Sequence, residues 1–227
     1  MEKFKTKGFP WRVSNYIEIP RIEELLLMPF VNSIDAESLY KIGGDFYREI
    51  LDKAPITNSK KYVSVQASVK LLTPSVSPVI NDYALDREWH VDGNDNFIED
   101  DVIMHIISNK TSSMTEFNTT PFEEWYDTAN DLIAECNDMN SVTHKKLVGK
   151  KIEPNKIYTF NNTDIHRANR VVKPEFRFFF RIVESDLDEP NNNFGNSYVF
   201  HGSRESIENM KQIYKDGKVD KIIITRY

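Results

Sequence analysis

Tyr62-Val63-Ser64-Val65-Gln66-Ala67-Ser68-Val69-Lys70-Leu71-Leu72 alternates in character residue by residue. Val63, Val65, Ala67, Val69 and Leu71 share one face, while Tyr62, Ser64, Gln66, Ser68 and Lys70 share the other. A two-residue period of this kind predicts a half-buried β-strand. Downstream, Pro74 and Pro78 interrupt the chain ahead of Trp89-His90-Val91-Asp92-Gly93. Val102–Ser108 (VIMHIIS) is a short apolar run of strand type, and Met114–Asn118 (MTEFN) is a shorter candidate. Strands return at Lys156–Phe160 and Phe176–Val183, separated by Asn161–Arg170, a loop rich in Asn and Thr.

Helices are expected around this strand-rich middle. Ile34, Leu39, Ile42, Phe46 and Ile50 recur at near-helical spacing and predict a helix over Ser33–Leu51, weakened in its centre by Gly43 and Gly44. Thr120 as cap, Pro121 at the first helical position and Glu123 as capping-box partner predict a helical insert over Pro121–Met139. Asn191–Asn196 reads as a turn, Ser203–Lys215 as a short helix ending at Gly217, and Lys221–Tyr227 as a last strand. With no repeat, low-complexity tract or long linker, residues 1–227 read as one domain, mainly β with flanking helices.

Composition narrows the function classes. A chain of 227 residues at 40% hydrophobic can bury an ordinary core, and its 12% aromatic share argues against wholesale disorder. The net charge of -6 is spread along the chain and gives no global field for phosphates, so nucleic acid is disfavoured as a partner. Cys136 is the single cysteine, which excludes an intrachain disulfide and a cysteine-based zinc site. The start, MEKFKTKGFPWRV, lacks the apolar block of a secretory signal. No apolar run approaches the roughly 18 residues of a membrane span. The expectation is a soluble, cytoplasmic protein with no membrane partner; its oligomeric state cannot be read.

The chemistry gathers on few residues. His90 and Asp92 stand two apart, so an extended backbone projects both from one side, and Gly93 permits a sharp turn after them. His166 lies far downstream, just after a predicted strand. Two imidazoles and one carboxylate suit iron(II) and leave its remaining coordination positions open. Arg177 follows His166 by eleven residues and Arg181 by four more, in Phe176–Asp186 (FRFFFRIVESD). On a strand Arg177, Phe179 and Arg181 face one way, and Phe178 and Phe180 the other. Two guanidiniums on such a strand are costly unless anions meet them, and a planar fork grips a carboxylate in fixed orientation. Pairing with Glu175, Glu184 or Asp186 is the alternative use for these arginines.

His-x-Asp, a distant His and an Arg on the next strand, in that order, resemble the iron(II)/2-oxoglutarate-dependent dioxygenases. Glu153–Arg167 (EPNKIYTFNNTDIHR) is similar to that family's approach to its distal histidine, and Ser113–Asn118 (SMTEFN) to the strand after its first ligand pair. The resemblance covers roughly residues 62–183, leaving flanks 1–61 and 184–227 without a counterpart. It implies a double-stranded β-helix (a jelly roll or cupin-like barrel) with the metal at its mouth. It also implies His90, Asp92 and His166 as iron ligands, and Arg177 as partner of the distal 2-oxoglutarate carboxylate. Arg181 is the second candidate for that role, or the holder of an anionic group on the substrate. The implied reaction consumes 2-oxoglutarate and O2, generates an iron(IV)-oxo oxidant, and releases succinate and CO2. Because Asp92 is present, hydroxylation is favoured over halogenation. The substrate class implied is a small molecule, amino acid or peptide, anionic where Arg181 is the group that holds it.

Three rival readings accompany this one: a cupin-type metal enzyme without 2-oxoglutarate, a non-catalytic ligand-binding barrel, and a zinc hydrolase, which lacks an obvious general base here. His105 reads as a satisfied core histidine or a pocket residue. Ser64, Gln66, Ser68 and Lys70 line either a cavity or a solvated face. Trp89 either screens a metal or packs the core.

Overall fold

The structure is a computed structural model, which describes residues 2–5, 8–25, 28, 30–72, 74, 89–92, 101–121, 123–169, 171–187, 189–190, 193–195, 197–201 and 221–225. Its first half holds β1 (Glu2–Lys5), β2 (Arg12–Val13), α1 (Ile22–Leu25), β3 (Phe30–Asp35), α2 (Ala36–Ile42), α3 (Asp45–Lys53), β4 (Tyr62–Leu72), β5 (Ile103–Ser108) and β6 (Thr115–Asn118). There follow β7 (Glu123–Tyr126), α4 (Ala129–Asn137), α5 (Val142–Lys146), β8 (Gly149–Lys151), β9 (Tyr158–Asn161), β10 (His166–Ala168) and β11 (Glu175–Ser185). The last strands are β12 (Asn193–Gly195), β13 (Ser197–His201) and β14 (Lys221–Thr225).

The architecture is mainly β with flanking helices. Seven strands form one antiparallel sheet in the order β12-β3-β4-β11-β5-β9-β2, and β10-β6-β8 form a second. An isolated antiparallel bridge between His90 and His166 adds the segment around His90 to the second sheet. β1 pairs with β7, and β13 runs parallel to β14.

β4 and β11 pair in unbroken register from Tyr62↔Ser185 to Leu72↔Glu175. One face of this pair carries Val65, Ala67, Val69, Phe178, Phe180 and Ile182. It packs on Leu39, Tyr47, Ile50 and Leu51 of the helices in a single buried cluster. The other face looks toward the second sheet, where Met104, Ile106 and Phe160 meet Phe117 across the interior. The Phe117 and Phe160 rings are 4.8 Å apart in an edge-on contact. β4 is therefore covered on both faces, with Ser64 and Ser68 buried as well as the valines. The expectation of a half-buried strand is corrected: its polar face turns into the protein, not into solvent.

Four further expectations change. Ser33–Leu51 is not one helix but the end of β3 followed by α2 and α3. Asp35 ends the strand and caps α2, accepting a 2.8 Å hydrogen bond from the Ser38 amide. Gly44 then breaks the helical path at φ +86°, a left-handed conformation that glycine adopts without a Cβ clash. The insert Pro121–Met139 begins as strand β7 and turns helical only at α4. Thr120 is unavailable as a cap because Asn118 bonds both its amide and its carbonyl. Thr128 and Asp131 supply the capping box instead.

Asn193–Gly195 is a strand, not a turn, and answers the open edge of β3. β10 likewise replaces part of the loop expected over Asn161–Arg170. With β2, β3 and β12 in the large sheet, the sheet extends beyond residues 62–183 into both flanks. The last strand is present as β14, while Pro78, Gly93, the helix at Ser203–Lys215 and Gly217 lie outside the described residues.

His105 is a satisfied core histidine. Its Nε2 lies 2.8 Å from the Glu184 carboxylate and its Nδ1 2.9 Å from the Thr159 hydroxyl. Glu184, 0% exposed, also accepts from the Thr57 amide and hydroxyl and from the Asn58 amide. Burial opposes its ionisation, but these donors hold its pKa below the ordinary glutamate value. A lowered carboxyl pKa adds stability that is fully present above the unfolded value of about 4.3 and is lost as pH falls through the folded value. Glu184→Ala, which strands His105 and two amides, is expected to cost about 3 kcal/mol in urea unfolding at pH 7. Glu184→Gln is expected to flatten the acid limb of stability below about pH 4.5. The capping assignment is checked in the same way: Thr128→Ala should cost about 1 kcal/mol, and Thr120→Ala within about 0.5 kcal/mol of nothing.

Candidate metal centre

Residues 89–92 run extended, and their alternation sorts four side chains. Trp89 and Val91 enter an apolar cluster with Leu132 and Cys136 of α4 and with Ile165, so Trp89 is a packing residue. His90 and Asp92 face the opposite way, into the cavity between the sheets. Asn137, at the end of α4, fixes this segment by accepting from the Trp89 amide at 3.0 Å and donating to its carbonyl at 2.8 Å. The Arg167 guanidinium lies 4.2 Å over the Trp89 ring and donates to Glu116.

His166 enters from the start of β10. Its amide donates to the His90 carbonyl at 2.9 Å, and the His90 amide returns a bond of 2.8 Å to the His166 carbonyl. This reciprocal pair puts both side chains on one side, with the imidazole centroids 4.3 Å apart. The Asp92 amide donates to Asn162 O at 3.0 Å, tying the third residue to the turn before β10. One ligand atom from each of His90, Asp92 and His166 can be chosen so that all lie within 4.8 Å of one another. The structure thus brings together the three residues that the sequence places 76 positions apart at their extremes.

Local bonds aim the ring of His166. Its Nδ1 lies 2.9 Å from the Asp164 carbonyl, which can only accept, so Nδ1 carries the proton and Nε2 turns to the cavity. Nε2 lies 3.4 Å from Asp92 Oδ2. Phe117 and Phe160 stand 5.3 Å from the same ring on two sides. Burial works against charge on either partner, but each favours the ionised form of the other. The Asp92 carboxyl is held well below the carboxylate range by His166 and Arg181, and the His166 pKa is raised by Asp92. Two imidazoles and a carboxylate whose ligand atoms converge in this way fit a divalent metal of iron(II) type.

The cavity is about 270 Å³ and is shared by both sheets. Arg177, Phe179 and Arg181 all face it, as their strand period requires, and Lys70, Ser68 and Gln66 face it from β4. Arg177 is 6% exposed, stacks over Phe179 at 4.8 Å, and donates from Nη2 to the Thr115 hydroxyl at 3.1 Å. Its Nε has no acceptor among the described residues, and burial pulls its pKa down to about 10. Arg181 approaches Asp92 Oδ2 at 3.9 Å, so neither arginine pairs with Glu175, Glu184 or Asp186 among the described residues.

Thr115 and Asp164 escaped the sequence reading. Thr115 carried a usable signal, since it shares a strand face with Phe117 in a stretch already read as barrel strand. Asp164 carried none, because its contribution to His166 is a backbone carbonyl. Among the described residues no helix is long and apolar enough to cross a membrane. No protein-family profile matches the chain, and no curated protein and no solved structure is similar to it at a significant level.

Proposed function

We propose that the protein is an iron(II)- and 2-oxoglutarate-dependent oxygenase acting on a small-molecule, amino-acid or peptide substrate. The observation that carries this reading is Arg177: a guanidinium buried in the cavity of the His90–Asp92–His166 cluster with no carboxylate of its own among the described residues. Keeping such a group charged and dry is costly unless a ligand supplies the anion. A cupin-type metal enzyme that needs no 2-oxoglutarate gives Arg177 no purpose.

The chain's path supports a double-stranded β-helix. In order, β4, the His90 segment, β5, β6, β8, β9, β10 and β11 pass back and forth between the two sheets. They finish with β4-β11-β5-β9 adjacent in one sheet and His90-β10-β6-β8 in the other, the winding of a jelly roll.

In this reading His90, Asp92 and His166 would hold iron(II), three protein ligands leaving room for a co-substrate and dioxygen to reach it. Iron(II) with 2-oxoglutarate and dioxygen supplies the oxidising power, and succinate and carbon dioxide are the by-products. Arg177 and Thr115 grip the distal carboxylate of 2-oxoglutarate, fixing its orientation relative to the metal ligands. Phe117 and Phe160 hold the His166 ring still and keep water from its edge. Asp164 preserves the tautomer that presents Nε2.

Anaerobic titration of the apoprotein with iron(II) and then 2-oxoglutarate is expected to produce a visible charge-transfer band, lost in His166→Ala. Arg177→Met should keep iron binding but weaken 2-oxoglutarate about a hundredfold, since one side of a buried ionic pair is worth about 2–5 kcal/mol. Iron binding without the band in the wild type would hand the site to the cupin reading. No iron binding at all would end the enzyme reading.

A further inference from the structure

His90 exchanges both of its backbone bonds with His166, so the amide and carbonyl of Trp89 point to the opposite edge of the segment. At that edge a single side chain stands in for a strand. The Asn137 side-chain amide accepts from the Trp89 amide at 3.0 Å and donates to the Trp89 carbonyl at 2.8 Å, as the backbone of a neighbouring strand would. Its nitrogen also donates to the Ile133 carbonyl one turn back, at 2.8 Å, which fixes the direction of the side chain. Trp89 is 3% exposed, so without Asn137 its two backbone groups have little water to turn to.

Asn137 is itself held in place. It is the last residue of α4, where the carbonyls of Glu135, Cys136 and Asp138 have no partner within the helix. The Ser141 hydroxyl donates to the Glu135 carbonyl at 2.6 Å, His144 Nδ1–H to that of Cys136 at 2.7 Å, and the Ser141 amide to that of Asp138 at 2.9 Å. These donors come from the cap and first turn of α5, so α5 closes the end of α4 and fixes the turn that carries Asn137. Leu132 and Cys136 of the same helix press on Trp89 and Val91 from behind. The support reaches the cavity because all four residues share one short extended segment. Trp89 and Val91 face α4 while His90 and Asp92 face the cavity, so neither pair can shift without carrying the other.

Resting on the metal-binding part of the reading above, we propose that Asn137 is a positioning residue for the metal centre. Through the Trp89 backbone it holds His90 and Asp92 where His166 meets them, and the α4–α5 pair is the support from which it does so. Asn137 lies behind the segment and acts only through it. The helical insert thereby sets how tightly the chain binds metal, although α4 and α5 supply no ligand.

The test titrates the full chain with cobalt(II), whose visible d–d spectrum reports its ligands. Asn137→Ala is expected to weaken cobalt(II) about tenfold or more and to change the spectrum, the loss usual when a group supporting a metal ligand is removed. Thr128→Ala destabilises the same helix at its other end and is expected to leave both affinity and spectrum unchanged. In the metal-free chain the imidazole NMR signals of His90 and His166 are expected to move in Asn137→Ala and to stay in place in Thr128→Ala. Asn137→Asp still accepts from the Trp89 amide but cannot donate to its carbonyl, and it replaces the Ala variant should that lose its circular dichroism. The proposal is overturned if the Asn137 variant binds cobalt(II) as the wild type does, or if Thr128→Ala weakens binding equally. Should the wild-type chain bind no cobalt(II), the oxygenase reading falls and the imidazole signals decide alone. Movement confined to the Asn137 variant then keeps the positioning role, and its absence removes it.

Discussion

Two backbone hydrogen bonds, exchanged between His90 and His166, set the geometry on which the rest of the candidate site depends. An antiparallel pair that exchanges both bonds has its side chains directly opposed, so the two imidazoles must lie side by side. Asp92, two residues on, projects from the same face, and its amide is held by Asn162 in the turn that leads to His166. Main-chain bonds thus bring the carboxylate and both rings to one face, and the Asp164 carbonyl then aims the ring of His166. Behind the pair, Trp89, Val91 and Ile165 sink into the cluster beneath α4, so a slip of one residue would exchange ring for core and expose both. The apolar cluster is the physical reason that the register holds.

The same two-residue period shapes the opposite wall. β11 alternates Phe178, Phe180 and Ile182 toward the helices with Arg177, Phe179 and Arg181 toward the cavity. The apolar face supplies the free energy that allows the basic face to be carried inside, at roughly 25 cal/mol per Å² of apolar surface removed from water. Few places in a protein of this size tolerate three cations around one cavity. This one does so because the strands that carry them are locked from behind by α2 and α3 and, at the Glu184 end, by the His105–Glu184–Thr57 network.

What the sequence made legible follows the range of the physics involved. Strand periodicity is a local property, and β4, β5, β6, β9 and β11 were all readable from it, as was the shared facing of Arg177 and Arg181. The ligand trio was readable because residue type and order are properties of the chain. The capping of α4 was not: Thr120 and Thr128 both satisfy the local rule, and the choice was made by Asn118, which takes up the Thr120 backbone groups. Nor were β1, β10 and β12 readable, since each spans only three or four residues and pairs with a strand distant in sequence, while β3 was hidden because its Ile34 also fits the spacing read as a helix. Thr115 acquires its role through Arg177 on another strand, 62 residues away.

The polar face of β4 shows where local reading and tertiary context part company. Ser64, Gln66, Ser68 and Lys70 have the composition of a face turned to water, and periodicity alone cannot say which of two waters is meant, bulk solvent or an internal cavity. The seven-stranded sheet decides it by placing β4 between β3 and β11, with helices on its apolar side and the second sheet across its polar side. A lysine carried into that interior is unfavourable for folding unless something negative arrives with function. The position of Lys70 is therefore poorly explained by stability: the register sets it opposite Arg177 in the cavity wall, and burial together with the neighbouring guanidiniums pushes its pKa down to about 7.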